Sequence, residues 1–295
     1  MKTVARRFSL EAHAKLNLRL EVGLLAGSLH QIVSVIAELE LADKLHFTPS
    51  SAGFQVACEH ADLAERDNLA WRAAQALQRE LPAVRIVIEK NIPMQAGLGG
   101  GSADAAGALL GLAMIFSEES APLSHQQLAE AALRTGSDVP SFLTSGLRIV
   151  SGVGERVERR SAHAPPWGIV LLRPPVGSAT GRAYGLLDVR GIPHDLGDSA
   201  VASAEEMCAA YAASDFERFI GLLYNDFSSV IERELPAVAD ARERLQHAGA
   251  QATMLCGSGS CVAGFFHARA AAQEAVERVS LGLGEWIHAT GFSGD

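Results

Sequence analysis

Hydrophobic and polar residues alternate from the start. In "AKLNLRLEV", Leu16, Leu18, Leu20 and Val22 fall on one face and Lys15, Asn17, Arg19 and Glu21 on the other, the period of a half-buried strand. "IVSVIAELEL" and "KLHFTP" continue as two further strand segments. The period then lengthens. In "DNLAWRAAQALQREL", Leu69, Ala73, Ala76, Leu77 and Leu81 form a helical stripe, with Asp67 placed as its N-cap. "VRIVIEK" alternates again as a strand. From about Ser102 to Phe116 the chain is apolar on nearly every side, which predicts a helix in a domain interior. "SHQQLAEAALRTG" predicts another, with Ser124 and Gln127 spaced as a capping box and Gly136 as its stop.

The polarity shift around Pro165 and Pro166 marks the best boundary, giving expected domains over 1–160 and 161–295. Beyond it come a strand at "GIVLLRP", several helices between Ala179 and Gly249, and a strand–turn–strand at "ATMLCGSGSCVAGFF". A last helix and a strand near "WIHAT" close the pattern, which reads as two α+β domains.

Composition narrows the class. Over 295 residues, 48% are hydrophobic and 20% charged, the balance of a soluble globular protein. The net charge of −9 speaks against a nucleic-acid partner, yet a few placed cations still suit an anionic small substrate. The longest apolar run, Ala105 to Phe116, is too short for a bilayer. The basic N-terminal stretch lacks the apolar core of a secretory signal. Cys58, Cys208, Cys256 and Cys261 form no Cys-x-x-Cys pair and read as reduced, largely buried thiols. The histidines show no metal-ligand spacing, so no dedicated protein-held metal site is expected. These features predict a cytoplasmic enzyme with no membrane partner.

The densest chemistry lies in "NIPMQAGLGGGSADAAGALLGL", where Gly97, Gly99, Gly100 and Gly101 precede the apolar helix. The segment lacks the lysine of a Walker A loop, and Ser102 stands where a dinucleotide loop needs its third glycine. What remains is Pro-x-x-x-Gly-Leu-Gly-Gly-Gly-Ser-x-Asp running into a helix N-terminus. Backbone N–H groups and the positive helix end there suit a polyphosphate; a plain structural turn is the competing reading. Asp138, just before Val139-Pro140, is either a helix cap or a carboxylate placed to accept a proton. Lys15 and Asn17 are either solvated strand residues or a cation and its neighbour beside phosphate charge.

Taken in order, and with a late glycine turn at Gly257-Ser258-Gly259, these segments resemble the GHMP kinase superfamily. "AKLNLRL", "DNLAWRAAQAL", "GSDVPSFL", "GVGERV", "NDFSSVI" and "MLCGSGSCVAGFF" are more closely similar to its 4-diphosphocytidyl-2-C-methyl-D-erythritol kinases, from about residue 12 to 266. The resemblance implies a ribosomal-protein-S5-like N-terminal domain and a ferredoxin-like C-terminal domain. It implies ATP with Mg²⁺, and phosphorylation of a hydroxyl of the diphosphocytidyl methylerythritol in the non-mevalonate isoprenoid pathway. A GHMP-type kinase for another small alcohol, a related diphosphate decarboxylase and a non-catalytic nucleotide-binding relative are the alternatives. Residue by residue, the resemblance assigns catalysis to Lys15 and Asp138. It gives ATP phosphates to Pro93, Met94, Gln95, Ala96, Gly97, Leu98, Gly99, Gly100, Gly101, Ser102 and Ala103, and adenine to Asn68. Asn17 and His30 fall on the substrate side, and Ser102 approaches the nucleotide's magnesium. Where the family writes Asp-Gly-Tyr-His, this chain writes "GSLH", so Leu29 replaces the aromatic that stacks on cytosine, and Tyr184 is the candidate substitute. Trp71 and Trp167 read as packing residues, and Cys256 and Cys261 as core thiols at strand positions. A monomer or weak homodimer is expected.

Overall fold

The early alternation builds two long strands. In the computed structural model, whose described residues are 7–58, 65–117 and 122–294, β1 covers Phe8–Ala26 and β2 covers Leu29–Pro49. Residues 1–6 of the basic N-terminal stretch lie outside the described residues. The two segments expected within β2 are one continuous strand. Leu41, Asp43, Leu45 and Phe47 keep one buried face through the join, so period two never breaks. Around Lys15 the strand is not half-buried as expected. Lys15 and Asn17 are as buried as Leu16 and Leu18, because both faces of β1 are covered there.

The chain divides into two compact units. Among the described residues, one holds those within 1–14, 41–92 and 99–144, the other those within 15–40, 93–98 and 145–295. In the first unit, β3 (Gln55–Cys58) pairs parallel with β4 (Val84–Glu89), which pairs antiparallel with the second half of β2, Lys44 facing Glu89. Helices α1 (Leu69–Ala76) and α2 (Gly100–Ser117) cover them, and α3 (His125–Thr135) packs against these two helices. Phe47, Ile86, Ile88, Leu112 and Phe116 form the core, and Trp71 packs against it. The N-cap of α1 is Asn68, whose Oδ1 accepts the Ala70 N–H at 2.9 Å; Asp67 instead ends a 3-10 turn over Glu65–Asp67. The capping box of α3 forms as expected, and Gly136 ends the helix. Helix α2 starts two residues before Ser102, taking Gly100 and Gly101 into its first turn. By length and composition it can cross a bilayer, but 61% of it is buried inside the protein, as in a core helix.

In the second unit β1 lies between β2 and β8 (Tyr224–Asn225), while β5 (Leu147–Gly152) pairs with β2 and β6 (Arg156–Arg160) with β5. A separate antiparallel sheet has the order β11-β7-β10-β9: β7 is Gly168–Arg173, β9 Ala252–Leu255, β10 Val262–Phe266 and β11 Trp286–Thr290. Helices α4 (Thr180–Val189), α5 (Asp198–Ala212), α6 (Phe216–Leu222), α7 (Ser228–Glu234) and α8 (Pro236–His247) separate β7 from β9. Helix α9 (Arg269–Arg278) separates β10 from β11. The last strand therefore lies beside the first, the ferredoxin-like arrangement. Trp167 is a packing residue here, fully buried among Tyr211, Phe216, Phe219 and Phe292; truncating such a side chain costs about 3–5 kcal/mol.

Candidate active site

The site is assembled from backbone before any side chain. Gly97 has φ +79°, and a Cβ there would lie 1.8 Å from the Cys256 carbonyl oxygen, so only glycine fits. The glycine segment and the late turn are thus laid backbone on backbone. The Cys261 N–H donates to the Ala96 carbonyl at 3.2 Å, and the Lys15 N–H to the Leu98 carbonyl at 3.0 Å. This gives Gly97 a purpose beyond anion binding that the sequence did not disclose. Downstream, Gly99 takes φ +74°, its carbonyl accepts the Ala103 N–H at 2.9 Å, and α2 begins. The half-buried Ser102 stands in that first turn, where N–H groups lack intrahelical partners.

Lys15 projects into this arrangement. Its ammonium donates to Asn17 Oδ1, the Asn17 Nδ2 donates to Ser34 Oγ at 2.8 Å, and that hydroxyl donates to the Arg19 carbonyl at 2.8 Å. A Cβ on Gly257 would lie 3.0 Å from Lys15 Nζ and 3.3 Å from Asn17 Oδ1. The two side chains and the late turn therefore share one small volume, and neither is a solvated surface residue. A buried ammonium costs several kcal/mol to desolvate and wants anionic company.

Asn225 completes the support, a part the sequence reading missed. Its Nδ2 donates to the carbonyls of Leu255 at 2.9 Å and Gly257 at 2.8 Å, and its Oδ1 accepts from the Phe227 N–H at 3.0 Å. The "NDF" segment was informative only as a family block. A buried Asn before an Asp that also binds backbone, here Asp226 Oδ2 accepting the Val22 N–H at 2.7 Å, is a signal that needs the fold to interpret. Cys256, just after β9, and Cys261, just before β10, are fully buried, and the pairing continues there through the Cys256 N–H and Cys261 carbonyl at 2.9 Å. Burial pushes the Cys261 thiol well above its ordinary pKa, keeping it protonated. Cys58 is only half-buried, against the expectation for all four.

Asp138, in the first unit, is exposed. It sits at the N-cap position of the 3-10 turn Val139–Leu143, but its side chain makes no cap hydrogen bond; its carbonyl accepts from Ser141 instead. The helix-cap reading loses its basis. Asn68 is buried at the start of α1. In the second unit His30 and Tyr184 are brought together, their rings stacked with centroids 5.2 Å apart, and Phe227 meets Tyr184 edge-on at 5.0 Å. His30 Nδ1 pairs with the Gly23 carbonyl at 2.8 Å and Nε2 with Asp188 Oδ1 at 3.2 Å. Leu29 is 49% exposed at the hairpin turn. Among the described residues no group of three or more His, Cys, Asp or Glu is arranged to hold a metal.

Residues 68–146 match the GHMP kinases N terminal domain, and residues 204–282 the GHMP kinases C terminal family. The 4-diphosphocytidyl-2-C-methyl-D-erythritol kinase of Pelotomaculum thermopropionicum is 38% identical over 86% of this chain and 87% of its own. That of Symbiobacterium thermophilum is 35% identical over 94% and 98%. A crystal structure of a 4-(cytidine 5'-diphospho)-2C-methyl-D-erythritol kinase superposes with a TM-score of 0.76 at 29% identity, covering 96% of this chain and 99% of that one. Homoserine kinase from Cytophaga hutchinsonii shares the fold alone, with a TM-score of 0.72 at 13% identity. The chain belongs to the GHMP kinases and, within them, to the 4-diphosphocytidyl-2-C-methyl-D-erythritol kinase family.

Proposed function

We propose that this kinase transfers the γ-phosphoryl group of ATP to a hydroxyl of 4-diphosphocytidyl-2-C-methyl-D-erythritol, in the cytoplasm, as a step toward isoprenoid precursors. The observation that carries the reading is the buried Lys15, beside Asn17 and the Gly257 turn, on a strand bonded to the glycine segment.

Phosphoryl transfer chiefly needs positioning and charge neutralisation. Pro93 to Ala103 cradle the nucleotide's phosphates, with the first turn of α2 supplying N–H donors. Lys15 steadies the negative charge of the transferring group, and Asn17, fixed by Ser34, keeps that ammonium aimed. Magnesium enters with ATP as part of the substrate; the half-buried Ser102 hydroxyl at the helix start suits contact with it. Asp138 accepts the substrate hydroxyl's proton as the oxygen forms its bond to the γ-phosphorus and the bond to the ADP oxygen breaks. Asn68 borders the adenine. His30 and Tyr184 form the base-recognition pair, with Tyr184 supplying the aromatic face that Leu29 lacks.

Asp138→Asn tests the chemistry. A general base removed costs roughly 10²–10⁴-fold in kcat, with melting temperature and ATP affinity kept. Turnover close to wild type would return Asp138 to a structural role. A second reading, a kinase for another small alcohol, draws on the exposed Leu29 at the place of the family aromatic.

A further inference from the structure

The end of β4 and the start of α2 carry a buried ionic cluster that the proposed chemistry does not use. Asp43 on β2 is fully buried; its Oδ1 accepts the N–H groups of Asn91 at 2.6 Å and Ile92 at 2.8 Å, and its Oδ2 pairs with the Lys90 ammonium. Lys90 also donates to Asp104 Oδ2 at 2.7 Å, in the first turns of α2. Asn91 Nδ2 donates to the Ala42 carbonyl at 2.9 Å. Lys90 to Ile92 are the last residues before Pro93, and Asp104 follows Ala103, so one ammonium joins the two stems of the glycine segment. The stems also touch directly. A Cβ on Gly100 would lie 3.0 Å from Ile92 Cγ2 and 3.3 Å from Lys90 Nζ.

We propose that Lys90, held between Asp43 and Asp104, is a positioning residue that clamps the two stems of the glycine segment and preorganises it for a nucleotide's phosphates. Burying two carboxylates around a half-buried ammonium is costly unless each is paired, and a loop already ordered loses less entropy when its ligand arrives. Oδ1 of Asp104 is buried without a hydrogen-bond partner, and Oδ2 ties this side chain to the entry stem through Lys90. Burial and the Asp43 carboxylate push Asp104 up to about 7, against the pull of Lys90. Shortening Asp104 therefore frees the exit stem while Asp43 still holds the entry stem. The proposal rests on the reading of Pro93 to Ala103 as the nucleotide-phosphate segment.

The experiment uses the whole chain with Asp104→Ser, which removes the reach to Lys90, and Asp104→Asn, which keeps an acceptor of the same length. Amide hydrogen exchange is followed over residues 93–103 without nucleotide, and ATP binding and steady-state kinetics are measured on the same samples. Expected for Asp104→Ser are exchange at least 10-fold faster in that segment, unchanged exchange in β7 and β10, and KM for ATP raised about 10-fold with KM for the alcohol unchanged. Asp104→Asn restores both to within about threefold. Wild-type exchange in the segment for Asp104→Ser, or faster exchange everywhere in the protein, overturns the clamp. If Asp104→Ser does not fold, Lys90→Gln is read in the same way. A wild-type protein that binds no ATP sinks the nucleotide reading, while the exchange data still decide the clamp.

Discussion

Gly97→Ala perturbs the point where the glycine segment meets the late turn. Two costs can be worked from the structure. The backbone at φ +79° disfavours any side chain by roughly 1–2 kcal/mol. The added methyl carbon would lie 1.8 Å from the Cys256 carbonyl oxygen and 2.8 Å from its carbon. Those are backbone atoms tied by the Cys256–Cys261 pairing, so they cannot swing aside as a flexible side chain does. Forced overpacking of this kind typically adds about 1–3 kcal/mol, for a total of about 2–5 kcal/mol. The control is Gly27→Ala, at φ +70° with nothing within 4 Å of the new carbon; it carries the first cost only. Urea unfolding gives the stability difference, and ATP kinetics give the local effect. Gly97→Ala should be less stable than Gly27→Ala by at least 1 kcal/mol, taking the low end of the overpacking range, and should raise KM for ATP. Equal stabilities and an unchanged KM would refute the backbone-on-backbone contact.

Asp104 gives a pH prediction with a definite sign. Its folded pKa of about 7 lies above the ordinary 3.8, so the folded protein holds that proton more tightly. The stabilisation is full below about pH 4, declines as pH rises and is lost past 7. Urea midpoints between pH 4 and 8 should fall less steeply for Asp104→Asn than for wild type, and parallel slopes would refute it. Leu29→Tyr should tighten cytidyl-substrate binding by about 0.5–1.5 kcal/mol with ATP affinity unchanged; an unaltered KM would leave base recognition to Tyr184. Lys15→Met should lower kcat, and with Asp138→Asn the double variant should lose less than the product of the single losses, since groups acting as a unit are not additive. Strict multiplicativity, read from kcat of the four proteins, would separate their roles.

Much of this was legible in the chain. Periodicity located β1, α2, α3 and the strand–turn–strand of the second sheet, because each buries a regular face. It went astray where a polar residue takes an apolar residue's place. Asp43 sits on the buried face of β2, and Lys15 and Asn17 lie under cover, since burial depends on what packs above a strand and not on its own alternation. Asn68 displaced Asp67 as the cap because the preceding turn shifts the helix start by one residue. The glycine segment was recognisable as a motif, yet the reason for Gly97 lies about 160 residues away in Cys256, a contact local pattern does not encode. Asn225 and the Lys90 cluster stayed hidden for the same reason.

The most direct test of the account is a comparison of kcat/KM with ATP for the diphosphocytidyl methylerythritol compound, mevalonate, phosphomevalonate, homoserine and galactose, following phosphorylated product. The account predicts that the cytidyl compound is the best substrate and that Asp138→Asn abolishes most of its turnover. A higher kcat/KM for mevalonate, homoserine or galactose would contradict the assigned substrate and leave only a GHMP kinase of other specificity.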